Sequence, residues 1–91
     1  MNLRDANTVR RFAGKRGMHA RYHGEAATSM MLSHNETAWD LCEVGRDAGG
    51  WWARLPGAPV AVHGPDLRCA IRRALVKRAS NPANILSAFL L

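Results

Sequence analysis

Long apolar runs are missing from this 91-residue chain: the longest is Ala88-Phe89-Leu90-Leu91, four residues, against the roughly 20 that a membrane-spanning helix requires. A helical span is excluded, and no membrane partner is expected. Arg4, Arg10, Arg11, Lys15 and Arg16 have no hydrophobic stretch behind them, so the expectation is a cytoplasmic protein without a secretory signal. Cysteine is scarce too. Cys42 and Cys69 form no Cys-x-x-Cys pair and read as two buried thiols, not as a disulfide framework or a metal site. Also absent are Gly-x-x-x-x-Gly-Lys-Ser/Thr, Gly-x-Ser-x-Gly and His-Glu-x-x-His, the motifs of a phosphate loop, a nucleophile elbow and a zinc peptidase. His34-Asn35-Glu36 supplies half of a zinc deaminase signature, but the Pro-Cys-x-x-Cys half is lacking. His19 and His23 stand four apart with no third ligand near in sequence. The expectation is a protein that is not an enzyme and needs no metal or cofactor.

What is present is the composition of one ordinary globular domain over residues 1–91, 47% apolar and 22% charged. A chain this short buries only about 60 to 65% of its unfolded surface, so its core is small and its stability modest. The net charge of +6 is unevenly distributed. Residues 1–22 carry +5, residues 23–66 carry −4 and residues 67–91 carry +5, so two basic ends flank an acidic middle. Eleven of the thirteen bases are Arg, whose planar fork suits bidentate contact with phosphate. An Ala-, Arg- and Gly-heavy chain with two Lys and no Gln is equally the composition that a GC-rich genome produces.

Periodicity divides the chain into a basic helical segment (1–17), a β-meander (18–64), an amphipathic helix (65–79) and an apolar tail (80–91). Ala6, Val9, Phe12 and Ala13 have helical spacing, with Asp5 as N-cap and Gly14 or Gly17 as the stop. Met18, Ala20 and Tyr22 alternate with His19, Arg21 and His23, a half-buried strand with one apolar and one basic face. Thr28 to Ser33 reads as a second strand. Ala38 to Val44 fits a strand, with a helix capped by Ser33 and Glu36 as the alternative. Gly45 to Gly50 reads as a turn-rich loop, Trp51 to Leu55 as the strand that completes a hairpin, and Val60 to His63 as a short edge segment after the break at Pro56-Gly57-Ala58-Pro59. Leu67, Ala70, Ile71, Ala74 and Leu75 then make one helical stripe, started by Gly64 with Pro65 or by Asp66, with Cys69 and Val76 nearly opposite. The fold class expected is α+β: an antiparallel meander of three to five strands flanked by an N-terminal and a C-terminal helix.

Candidate binding residues follow from charge and parity. Arg4, Arg10, Arg11, Lys15, Arg16 and Arg21 near the start and Arg68, Arg72, Arg73, Lys77 and Arg78 near the end can converge on one side of a compact domain and neutralise phosphates, the alternative being solvated charges that keep a small basic protein soluble. Trp51 and Trp52 must point to opposite faces of a strand. Trp51 shares its face with Ala53 and Leu55 and is the core candidate, which puts Trp52 beside Arg54 outside, as a stacking or interface anchor unless the N-terminal helix covers it. A C-terminal helix-turn-helix is excluded, because residues 82–91 hold no Arg or Lys to meet DNA.

The stretch Gly49-Gly50-Trp51-Trp52-Ala53-Arg54-Leu55-Pro56-Gly57-Ala58-Pro59-Val60-Ala61-Val62-His63-Gly64-Pro65-Asp66-Leu67, followed by Ala70, resembles the strand, Pro-Gly loop, strand and helix of HicB-type antitoxins. The resemblance covers residues 38–79 at most. It implies a partial ribonuclease-H-like fold and a partner of the RNA-cleaving toxin class. The chain departs from that family in its basic region before residue 38, in Cys69 where the family often has Glu, and in having no recognisable DNA-binding segment after the module. The function expected is that of a small binding protein that occupies a nucleic acid or ribonucleoprotein surface, antitoxin- or regulator-like. The alternative is a phage or mobile-element inhibitor of a host defence protein, anti-CRISPR-like, whose target is a protein. Ile85, Leu86, Phe89 and Leu90 are too apolar for a free end and are expected to cap the core or to form a homodimer seam with the Cys69 and Val76 face. Truncation after Asn81 is expected to lower the melting temperature, the oligomeric mass measured by light scattering, or both; no change in either would make the tail a dispensable appendage.

Overall fold

The structure, a computed structural model, describes residues 1–33 and 42–77. In chain order the elements are α1 (Leu3–Gly14), β1 (His19–His23), β2 (Ser29–Ser33), β3 (Cys42–Asp47), β4 (Gly50–Arg54), β5 (Val62–Gly64) and α2 (Leu67–Lys77). The strands form one antiparallel sheet in the order β1-β2-β3-β4-β5, each pairing with its neighbours in the chain. This is the expected α+β meander with five strands and a helix at each end. The apolar tail at 80–91, residues 78–79 of the expected helix and the strand-or-helix choice at 36–41 lie outside the described residues.

Two local expectations are corrected. Asn2, not Asp5, caps α1: its side-chain oxygen accepts the Asp5 N–H at 2.8 Å. Asp5 instead sits buried in the first turn and accepts a bond from Arg46 Nη1 of β3 at 3.0 Å. At the other end the Met18 N–H donates to the Ala13 carbonyl at 2.8 Å, with Gly17 at φ +66°. Only glycine takes that left-handed closure without strain.

The second correction concerns Gly45 to Gly50. Strand β3 runs on to Asp47, and Gly45, Arg46 and Asp47 pair with Trp52, Trp51 and Gly50, leaving only Ala48 and Gly49 as the turn. Gly45 is a packing position. The indole of Trp52 fills the space where a Cβ would stand, its Cε2 atom 2.6 Å from that point. A glycine within a strand here marks the close approach of a large neighbour, not the start of a loop.

Strand parity sends one set of side chains beneath both helices. Met30 and Leu32 of β2, Cys42 and Val44 of β3, and Trp51 and Ala53 of β4 join Ala6, Val9 and Ala13 of α1 and Leu67, Ala70, Ile71 and Ala74 of α2 in a single core. Helix α1 packs over β1 and β2, and α2 over β4 and β5. The passage from β5 into α2 is tight: a Cβ at Gly64 would lie 2.6 Å from the Ala70 nitrogen. Asp66 then caps the helix, accepting the Cys69 N–H at 2.7 Å. Trp51 is 7% exposed and faces inward, and Trp52 lies on the opposite, helix-free face. Trp51→Ala is therefore expected to cost about 3 to 5 kcal/mol in a denaturant titration, and Trp52→Ala much less. The reverse order would mean that the parity of β4 is inverted.

Candidate binding surfaces

The sheet face that no helix covers carries a polar cross-strand array. Arg21, Met31, Glu43 and Arg54 form one row across β1 to β4, and Ser29 and His23 stand beside Gly45, Trp52 and His63 in the next. Glu43 organises the first row. It accepts from Arg54 Nε at 2.9 Å and again from Arg54 Nη2, and from the Ser29 hydroxyl at 2.7 Å, while His23 Nε2 lies 3.8 Å away. Burial pushes this carboxyl up, but the hydrogen bonds from Ser29 and Arg54 and the positive charge beside it prevail and hold it below its ordinary 4.5. Farther along, Asp47 takes a bond from His63 Nε2 at 3.0 Å and one from the Gly49 N–H at 2.8 Å. Those two bonds lower its pKa. The open face thus presents Trp52, half-buried, among charges that are already paired.

The helix layer is different. Some of its bases have internal partners: Arg10 bonds Asn7 and stacks over Tyr22, Arg16 donates to the Phe12 carbonyl and covers its ring, and Arg73 donates to the His63 carbonyl. Arg46 bridges layers, bound to Asp5 and lying 5.7 Å from the Trp51 ring centre. The side chains of Arg4, Arg11, Lys15, Arg68, Arg72 and Lys77 are exposed and make no hydrogen bond, ion pair or ring contact with any described residue.

The candidates from the sequence thus fall on two sides of the sheet, with Arg78 outside the described residues. Arg4, Arg10, Arg11, Lys15 and Arg16 belong to α1 and the turn after it, and Arg68, Arg72, Arg73 and Lys77 to α2, so all nine ride on the layer that covers the inner face. Arg21, Trp52 and Arg54 lie on the open face. Helix α1 does not cover Trp52. Glu43 was not among the sequence candidates, and Asp5 was read only as a helix cap, yet these two carboxylates engage Arg54 and Arg46. The position of Glu43 between Cys42 and Val44 was a usable signal, because alternation in a strand places it opposite two apolar neighbours.

Burial pushes the Cys42 thiol up to about 12, which keeps it protonated and unreactive. Among the described residues no group of three or more His, Cys, Asp or Glu side chains is placed to hold a metal, and no described helix is long and apolar enough to cross a membrane. Comparison with protein-family models, with curated proteins and with solved structures finds no match for the chain.

The Glu43 cluster makes a pH prediction. A carboxyl whose folded pKa lies below its ordinary value contributes stability that is present above that value and lost as pH falls through the folded one. Melting temperature is expected to drop as pH falls below the ordinary carboxyl value of 4.5, and Glu43→Gln is expected to lower it near neutrality and to flatten this part of the profile. An unchanged acid slope in Glu43→Gln would place the titrating group elsewhere.

Proposed function

We propose that this chain is a small non-enzymatic protein that binds nucleic acid, or a ribonucleoprotein surface, through the solvent side of its two helices. The observation that carries the reading is the sorting of its bases. Arg54 on the open face is neutralised by Glu43, whereas the six cations without internal partners all belong to α1, the turn after it, and α2. Unpaired guanidinium and ammonium groups on one layer are available to replace counterions along a phosphate backbone. Occupancy of this kind needs no catalytic group and suits an antitoxin- or regulator-like role.

A second reading, an inhibitor of the phage or mobile-element kind directed at a protein, is favoured by one feature. Trp52 stands on the open face among paired charges, an arrangement that gives an aromatic anchor without a strong field. The two readings separate by salt and by side. Binding to single-stranded RNA and to duplex DNA is measured by fluorescence anisotropy across a salt series. For the helix layer, affinity falls linearly in log–log form, and each base removed by Lys15→Glu, Arg68→Glu or Arg72→Glu lowers the slope by about one. Trp52→Ala leaves that slope unchanged. No binding to either nucleic acid at low salt would remove the first reading and leave the second.

A further inference from the structure

A concavity opens between the C-terminal half of α2 and the loop from Leu55 to Val60. Its volume is about 310 Å³, within the range of small-molecule sites. The floor is core: Ala53, Leu55 and Ala74 are 0%, 2% and 3% exposed, and Val62 adjoins them. The wall is the Pro56-Gly57-Ala58-Pro59 loop, whose small and ring-shaped side chains do not fill the space. Val60 stands on the rim, 59% exposed. The one charged group in the lining is Lys77, which has no partner among the described residues.

A hollow floored by core side chains and bordered by a single cation selects a ligand with the same division. We propose that this cleft binds a small amphiphile made of an extended apolar chain and one anionic head group, with the chain against Ala53, Leu55, Val62 and Ala74 and the head at Lys77. Transfer of the chain out of water supplies affinity in proportion to the area covered. The ammonium supplies orientation and the preference for an anion. A neutral or cationic head group of the same length gains the first contribution only.

The probe is decanoate, titrated below the concentration at which it aggregates, with binding followed by amide chemical shifts in ¹⁵N-labelled full-length protein. Decanoate is expected to shift the amides of residues 53–62 and 74–77. Lys77→Glu is expected to weaken it about tenfold, the scale of one charge contact at a protein surface, and decylamine to bind Lys77→Glu better than it binds the unmodified chain. Ala58→Leu, in the loop and outside the core, fills the hollow and is expected to abolish binding of both probes while the remaining spectrum stays that of the folded protein. The proposal is overturned by any of three results: no shift up to about 1 mM decanoate, shifts spread over the surface and not confined to the cleft, or equal affinity for decanoate and decylamine in both the unmodified chain and Lys77→Glu.

Discussion

Side-chain alternation in a sheet covered on one side is the constraint from which the rest of this structure follows. Every strand of a five-stranded antiparallel meander has to present its apolar set to the same side, because both helices pack there. Val44, Ala53 and Val62 lie in one cross-strand row on that side, and Glu43 and Arg54 in the neighbouring row on the other. A slip of one residue in β4 would carry Trp52 and Arg54 under α2 and turn Trp51 and Ala53 out to water. The registers of β3 and β5 depend on the same choice, since each pairs with β4. Gly45 and Gly64 then read as consequences: one leaves room for the Trp52 indole on the open face, and the other lets α2 close down on the inner one.

Charge is arranged around that division. The arginine that lies on the core margin, Arg46, is tied to the buried Asp5 of α1 and stacked against Trp51, so a first-turn acid, a central strand and a core aromatic are joined in one contact chain. On the open face Glu43 draws in Arg54, Ser29 and His23. Acids are few in this chain, and two of the seven are engaged in these contacts. Arg4, Arg11, Lys15, Arg68, Arg72 and Lys77 stay exposed on the solvent side of the helix layer without partners among the described residues. Exposed cations of this kind add little to stability. Their effect is on what the surface attracts.

The cleft proposed for an amphiphile and the helix surface proposed for phosphate meet at Lys77, which belongs to both. A ligand whose anionic head occupies that ammonium would remove one cation from the helix surface while leaving Arg4, Arg11, Lys15, Arg68 and Arg72 in place.

Much of the architecture was legible in periodicity. The spacing of Leu67, Ala70, Ile71 and Ala74 determined both the existence of α2 and its buried face, and the alternation about Trp51 and Trp52 determined which indole enters the core. Such patterns are local because a helix face or a strand face is defined by residues near one another in sequence. The cap of α1 and the length of the β3–β4 turn were decided otherwise. Asp5 resembles an N-cap until Arg46, 41 residues away, takes its carboxylate, and Gly45 resembles a turn residue until Trp52 is laid across it. The same holds for the binding surfaces. The sequence by itself determined that the chain is basic at both ends and which residue types could meet phosphate. Only the tertiary structure decided which of those cations are engaged by Glu43, Asp5 or a carbonyl and which are not, and that small residues at 53, 57, 58 and 74 enclose a hollow, because both depend on pairings between distant segments that no local pattern encodes.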